Sequence, residues 1–186
     1  MIELRFLNNL HADKVTGRTL SGYAAMYEKI SEDLGGFKEV IQRGAFKGAI
    51  GGDIIANINH DDTKILARTS NSNLEVREDP AGLFFELEIP DTSYGNDLLE
   101  NVKNGNISKC SFAFEVGKDS WTNDTNGLPV RSIQSFKSIT DISIVTTPAY
   151  EDTMLSVRAK EKPVGFVLPP ETQERLDRFM AYQGDM

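Results

Sequence analysis

Apolar and polar residues alternate along most of this chain in short runs separated by turn-forming residues, the period-two signature of half-buried strands. Met1-Ile2-Glu3-Leu4-Arg5-Phe6 alternates in this way, and a second strand begins with Leu20-Ser21-Gly22-Tyr23. Residues 54–61 form an apolar run that ends on His60, and 107–114 form a strand with Ser111 between Cys110 and the alternating Phe112-Ala113-Phe114. Leu74-Glu75-Val76-Arg77 and 83–89 flank the turn-forming Asp79-Pro80-Ala81-Gly82, which predicts a hairpin. Further strands are expected over 111–116, 130–136 and 139–145, with the polar turn 122–127 closing a second hairpin.

Helical spacing is rarer. The best helix covers about 93–104, with Thr92 or Ser93 as N-cap, Gly105 just beyond its end, and Leu98, Leu99 and Val102 on its apolar side. A short helix is expected over 46–50. Another is expected over about 170–182, opening with Pro169-Pro170-Glu171 and placing Leu176, Phe179 and Met180 on one face. Pro163, Pro169 and Pro170 make the stretch before it a linker. The expected organisation is a globular domain over 1–158, then a Pro-containing linker and C-terminal amphipathic helix over 159–186. The fold class is α+β: a mostly antiparallel β domain, drawn as a β-barrel core with a few surrounding helices.

Composition narrows the function. A chain of 186 residues buries about 70% of its unfolded surface, enough to fold without disulfides or a structural metal. No apolar run approaches the ~20 residues that span a bilayer, and the first residues lack a signal-peptide apolar block, so no membrane association is expected. The single cysteine, Cys110, excludes an internal disulfide and a cysteine-based zinc site, and an intracellular protein is expected. A net charge of −8 argues against nucleic acid as partner. Neither a Walker loop nor a Gly-rich dinucleotide fingerprint is present, so no cofactor is expected.

The chain has only two histidines, His11 and His60, which leaves little freedom for Ser–His chemistry. A serine hydroxyl becomes a good nucleophile when a base takes its proton, and the base works best when a third group fixes its tautomer. His60 is the candidate base and Ser111 the candidate nucleophile, with Ala113 on the same strand face leaving room beside the hydroxyl. Asp141, in Asp141-Ile142-Ser143-Ile144-Val145, is the preferred third member; Glu115, Asp61 and Asp62 are alternatives. A strand-end histidine or a strand serine is more often structural than catalytic. Asp61 and Asp62 also suggest a Mg²⁺ site, although such carboxylates are usually just solvated. A cysteine among apolar neighbours, such as Cys110, is usually core.

Seven segments in order then add a resemblance: Leu20-Ser21-Gly22-Tyr23-Ala24, 39–46, Asn59-His60-Asp61, Ala81-Gly82-Leu83, Asp91-Thr92-Ser93-Tyr94-Gly95, 105–114 and 141–150. Over about 18–158 the chain resembles the prohead maturation serine proteases of tailed bacteriophages, which share a fold class with the herpesvirus assemblins. The resemblance implies that His60 is the base, Ser111 the nucleophile and Asp141 the acidic third member of a serine endopeptidase. Assemblins use a second histidine in the third place, but His11 lies outside the matched strands.

The implied substrates are the major capsid protein precursor and its scaffold segment. They would be cut inside the immature capsid, the prohead, in the host cytoplasm before DNA is packaged. Self-cleavage and a homodimer are implied as well, the latter from the assemblins. Two rival readings keep other classes open: a non-catalytic capsid-assembly or scaffold-binding protein with the same fold, and a metal-dependent hydrolase using His60, Asp61 and Asp62.

Overall fold

The computed structural model describes residues 3–7 and 17–145. Nine strands and one α-helix occur among them: β1 (Glu3–Leu7), β2 (Thr19–Met26), β3 (Lys38–Ile41), β4 (Ile55–Ile58), β5 (Asp61–Arg68), β6 (Leu74–Glu78), β7 (Gly82–Glu88), α1 (Ser93–Lys103), β8 (Lys109–Asn123) and β9 (Pro129–Val145). A 3-10 turn, Thr69–Asn71, separates β5 from β6. The larger sheet runs β1-β8-β9-β4-β5, with β3 also pairing β9; the smaller runs β2-β7-β6. The expected barrel is therefore corrected. Among the described residues the strands form two open sheets, and the larger is mixed because β3 and β4 run parallel to β9.

The stretches expected as separate strands over 111–116, 130–136 and 139–145 are parts of one long hairpin, β8 and β9. Its pairing is interrupted by register shifts rather than ended by them. Along one edge, β9 pairs first with β3 at 130–133 and last with β4 at 141–144. Between them, the amides of Phe136 and Ile139 donate to the carbonyls of Ala45 and Ala49. The helix expected over 46–50 is instead a chain of turns, with the amides of Ala45, Lys47 and Ala49 each donating three residues back. These turns seat Phe46 in the core, stacked on Phe136 at 4.7 Å between ring centroids. The C-terminal helix and linker expected over 159–186 lie outside the described residues.

Helix α1 forms as its pattern predicts. The Thr92 side chain accepts from the Gly95 amide at 3.2 Å, and Leu98, Leu99 and Val102 are buried. The apolar core joins both sheets and the helix: Leu20 and Ala24 from β2, Leu83, Phe85 and Leu87 from β7, and Phe112, Phe114, Ile142 and Ile144 from β8 and β9. Burying several such aromatic and branched side chains at about 1.5–3 kcal/mol each supplies the main driving force for closing the sheets on one another.

One register shift matters for the site. Ala113 pairs with Asp141 and Phe114 with Ile139, leaving Thr140 as an extra residue in β9. Its hydroxyl donates to the Ala113 carbonyl at 3.2 Å. Ile139 and Ile142 are three positions apart, so a regular strand would send them to opposite faces. The bulge at Thr140 brings both into the core and leaves Asp141 on the other face.

A buried charge cluster ties the far end of the large sheet together. Arg131 of β9 reaches both Glu3 carboxylate oxygens (2.5 and 3.0 Å), Asp119 (2.6 Å) and Glu39 (3.4 Å). These contacts link β1, β3, β8 and β9. Burial alone disfavours the guanidinium's charge, but the Glu3 hydrogen bonds and the charges of Glu39 and Glu3 outweigh it and hold Arg131 firmly ionised.

Candidate active site

Ser111, Asp141 and His60 come from three adjacent strands' worth of chain: β8, β9, and the turn between β4 and β5. Ser111 pairs directly with Ser143, and Ala113 with Asp141, so Ser111, Ser143 and Asp141 occupy one face of the sheet. The opposite face carries Cys110, Phe112, Ile142 and Ile144, all in the core. Phe112 and Phe114 stack on each other at 4.8 Å, which anchors the strand bearing Ser111.

The placement of His60 differs from the sequence expectation. The run 54–61 is not one strand ending on a histidine. Strand β4 stops at Ile58, which pairs with Asp61 of β5, and Asn59 and His60 are the two residues of a tight hairpin loop. Both have positive φ, 53° and 56°. Positive φ at both central positions marks the type I′ hairpin, whose backbone matches the right-handed twist of its flanking strands. Asn tolerates this region, whereas a histidine there carries a local cost, a kind of strain that clusters at working sites. The turn is held onto β9 by two successive amides: Asn59 N–H donates to the Ile144 carbonyl at 3.1 Å, and His60 N–H donates to Ser143 Oγ at 2.8 Å. Asn59 directly after an apolar run is the sequence feature that marks this turn.

So held, the imidazole lies between the other two side chains. Its Nε2 is 2.8 Å from Ser111 Oγ, and its Nδ1 is 2.9 Å from Asp141 Oδ1, at ion-pair distance without an aligned hydrogen bond. With the proton on Nδ1, facing the carboxylate, Nε2 presents a lone pair to the serine hydroxyl. The side chains of His60 and Asp141 are 17% and 19% exposed, and Ser111 is fully buried. The low-dielectric surroundings strengthen each charge interaction relative to water. This arrangement is suited to moving a proton from Ser111 to His60 while Asp141 balances the imidazolium charge.

Two of the alternative third members, Glu115 and Asp61, are engaged elsewhere. Glu115 pairs with Lys137 at 2.8 Å, and that contact lowers its carboxyl to about 2. The Asp61 carboxylate binds the Thr63 side chain and amide and also Lys64, which lower it to about 2. Among the described residues, no three His, Cys, Asp or Glu side chains are grouped to hold a metal ion. Cys110 packs in the core with its thiol 3.4 Å from the Tyr23 carbonyl, and burial pushes the thiol up to about 12, so it is held as an un-ionised group facing away from Ser111. Among the described residues, no helix is long and apolar enough to cross a membrane.

The family model described as caudovirus prohead serine protease matches residues 7–164. The prohead protease of Enterobacteria phage HK97 is 28% identical over 134 residues, which cover 70% of this chain and 55% of that protein. The chain thus spans about half the length of that curated relative. No solved structure gives a significant match. With a family match running through every element that builds the site, the chain belongs to the caudovirus prohead serine protease family.

Proposed function

We propose that this chain is a serine endopeptidase in which Ser111 is the nucleophile, His60 the general base and acid, and Asp141 the residue that orients His60. The observation that carries this reading is the continuous contact from Asp141 through both ring nitrogens of His60 to Ser111. Ser111 Oγ attacks the scissile carbonyl carbon as its proton passes to His60 Nε2, giving a tetrahedral oxyanion. Collapse of that intermediate expels the amine, which takes the proton from His60, and leaves an acyl ester on Ser111. Water, deprotonated by His60, then releases the acid and restores the serine. Asp141 stabilises the transient imidazolium.

The substrates in this reading are the major capsid protein precursor and its scaffold segment, cut within the prohead in the host cytoplasm, with self-cleavage as a further reaction. Family membership supports this choice. A homodimer is part of the same proposal, and it predicts specific activity that rises with protein concentration. The direct test is intact mass over time for wild type and Ser111→Ala, each incubated with the neighbouring capsid precursor. Discrete fragments from wild type alone are expected, and they map the cut sites. Identical fragments from both proteins would remove Ser111 from the mechanism. Normal precursor binding by both proteins, with no cleavage by either alone or within assembled proheads, would favour an assembly role for the fold.

A further inference from the structure

Ser143 is fully buried and directly opposite Ser111 across β8 and β9, yet no step of the proposed chemistry uses it. Its register partner on the other side is Asn57 of β4, so Asn57, Ser143 and Ser111 form a polar row across three strands on the site face. Sheet interiors of this kind are ordinarily filled with apolar side chains, and each buried hydroxyl needs a partner. Ser143 has one of unusual consequence. Its Oγ accepts the backbone N–H of His60 at 2.8 Å, while the same oxygen lies 3.5 Å from the Asn57 carbonyl.

The location of that N–H explains why the contact matters. In a two-residue hairpin the first and last residues bond to each other, but the amide of the second loop residue has no partner within the turn. Here that amide belongs to His60, whose φ of 56° lies in the left-handed region, uncommon for residues other than glycine. The Asn59 amide fixes one side of the loop to the Ile144 carbonyl. The Ser143 hydroxyl fixes the other side, and thereby sets the origin from which the imidazole projects toward Ser111 and Asp141. One β9 segment therefore supplies both the carboxylate beside Nδ1 and the hydroxyl that holds the ring's own backbone.

We infer that Ser143 is a positioning residue for the base: its hydroxyl locks the His60 turn in the positive-φ geometry that brings Nε2 to Ser111. The inference rests on the proposed serine protease reading, and its test separates the two. For catalysis, a peptide spanning a mapped cut site is followed with wild type, Ser143→Ala, His60→Ala and the double variant. Ser143→Ala is expected to lower kcat by about 10–100-fold with KM within about twofold, the effect of a slightly misplaced base. In the His60→Ala background the same change is expected to cost nothing further, because a residue that acts only through His60 has nothing left to position. An equal loss in both backgrounds would overturn the inference in favour of a general packing role.

A second readout does not depend on catalysis. Amide hydrogen exchange is measured by NMR in Ser111→Ala with and without Ser143→Ala. The His60 amide is expected to exchange at least about tenfold faster in the double variant, with the amides of β8 unchanged. Unaltered His60 exchange would also overturn the inference. If Ser143→Ala does not fold, Ser143→Cys, near in size but a weak acceptor, takes its place with the same expected direction. Full activity in Ser111→Ala would defeat the protease reading itself, and the exchange measurement would still decide whether Ser143 holds the turn.

Discussion

Ser111 and Ser143 stand opposite each other on neighbouring strands, and both hydroxyls meet the same residue: one at the His60 ring nitrogen, the other at the His60 backbone amide, each at 2.8 Å. One residue pair thus touches both ends of the base, its ring and its backbone. Small changes in this part of the sheet should reach the chemistry before they reach stability.

The Asp141–His60–Ser111 contacts predict a strongly non-additive set of losses. Ser111→Ala and His60→Ala should each lower the cleavage rate by about 10⁴-fold or more, and the double variant should be no worse than the poorer single one. Asp141→Asn should cost less than either. Rates on a mapped cut-site peptide check the order, and wild-type activity in Asp141→Asn would reassign the third role.

The hairpin loop predicts a backbone effect at a residue that takes no part in the chemistry. Asn59 has φ 53°, a region where an L-residue without a short polar side chain is disfavoured by about 1–2 kcal/mol. Asn59→Val should lower unfolding free energy by about that amount and reduce kcat as the His60 turn distorts. Asn59→Gly, which is at ease with positive φ, should keep wild-type stability. Urea unfolding beside peptide kinetics tests both.

Cys110 predicts a pH effect whose sign follows from its burial. The native thiol is pushed up to about 12, whereas in the unfolded chain it ionises near its ordinary ~8.5. Its contribution to stability is complete below that unfolded value and is lost progressively as pH rises from there toward 12. Native protein at pH 8 should resist iodoacetamide, while urea-unfolded protein should be alkylated. Cys110→Ala should show a shallower fall in stability between pH 8 and 10, read from unfolding curves; an identical slope would count against the buried thiol.

Arg131 predicts the largest purely structural effect. Arg131→Met removes the cation that balances Glu3 and Glu39, both of which are buried, and should destabilise the protein by about 3–5 kcal/mol. Because the cluster ties down β1, which lies beside the strand of Ser111, hydrogen exchange in β1 should rise first. Equal protection of β1 in both proteins would show that strand pairing alone holds it.

Much of this fold follows from local pattern, and its failures are instructive. The cap and apolar side of α1 and the hairpin through Asp79 and Gly82 were legible because each depends on residues a few positions apart. The short helix expected near Phe46 became a series of turns because the carbonyls of Ala45 and Ala49 are claimed by β9, an interaction with a segment about 90 residues away. The three strands expected from 111 to 145 merged into one hairpin because bulges, which break the period-two pattern, do not break the pairing. Ile139 and Ile142, three apart and both apolar, were the visible trace of one such bulge.

By itself the sequence determined which residues were candidates: with two histidines in the chain and an alternating strand around Ser111, the pairing of His60 with Ser111 could be written down from residue types and strand period. The side of the sheet was legible too, because alternation separates Ser111 and Asp141 from the apolar Phe112 and Ile142. Tertiary structure alone decided that His60 sits in a positive-φ turn rather than on a strand, that Thr140 is extruded so Asp141 faces the ring, and that Ser143 holds the His60 amide. Each of these depends on register between strands far apart in the chain. Register is set by the sum of core packing across both sheets, a quantity that no local stretch of sequence contains.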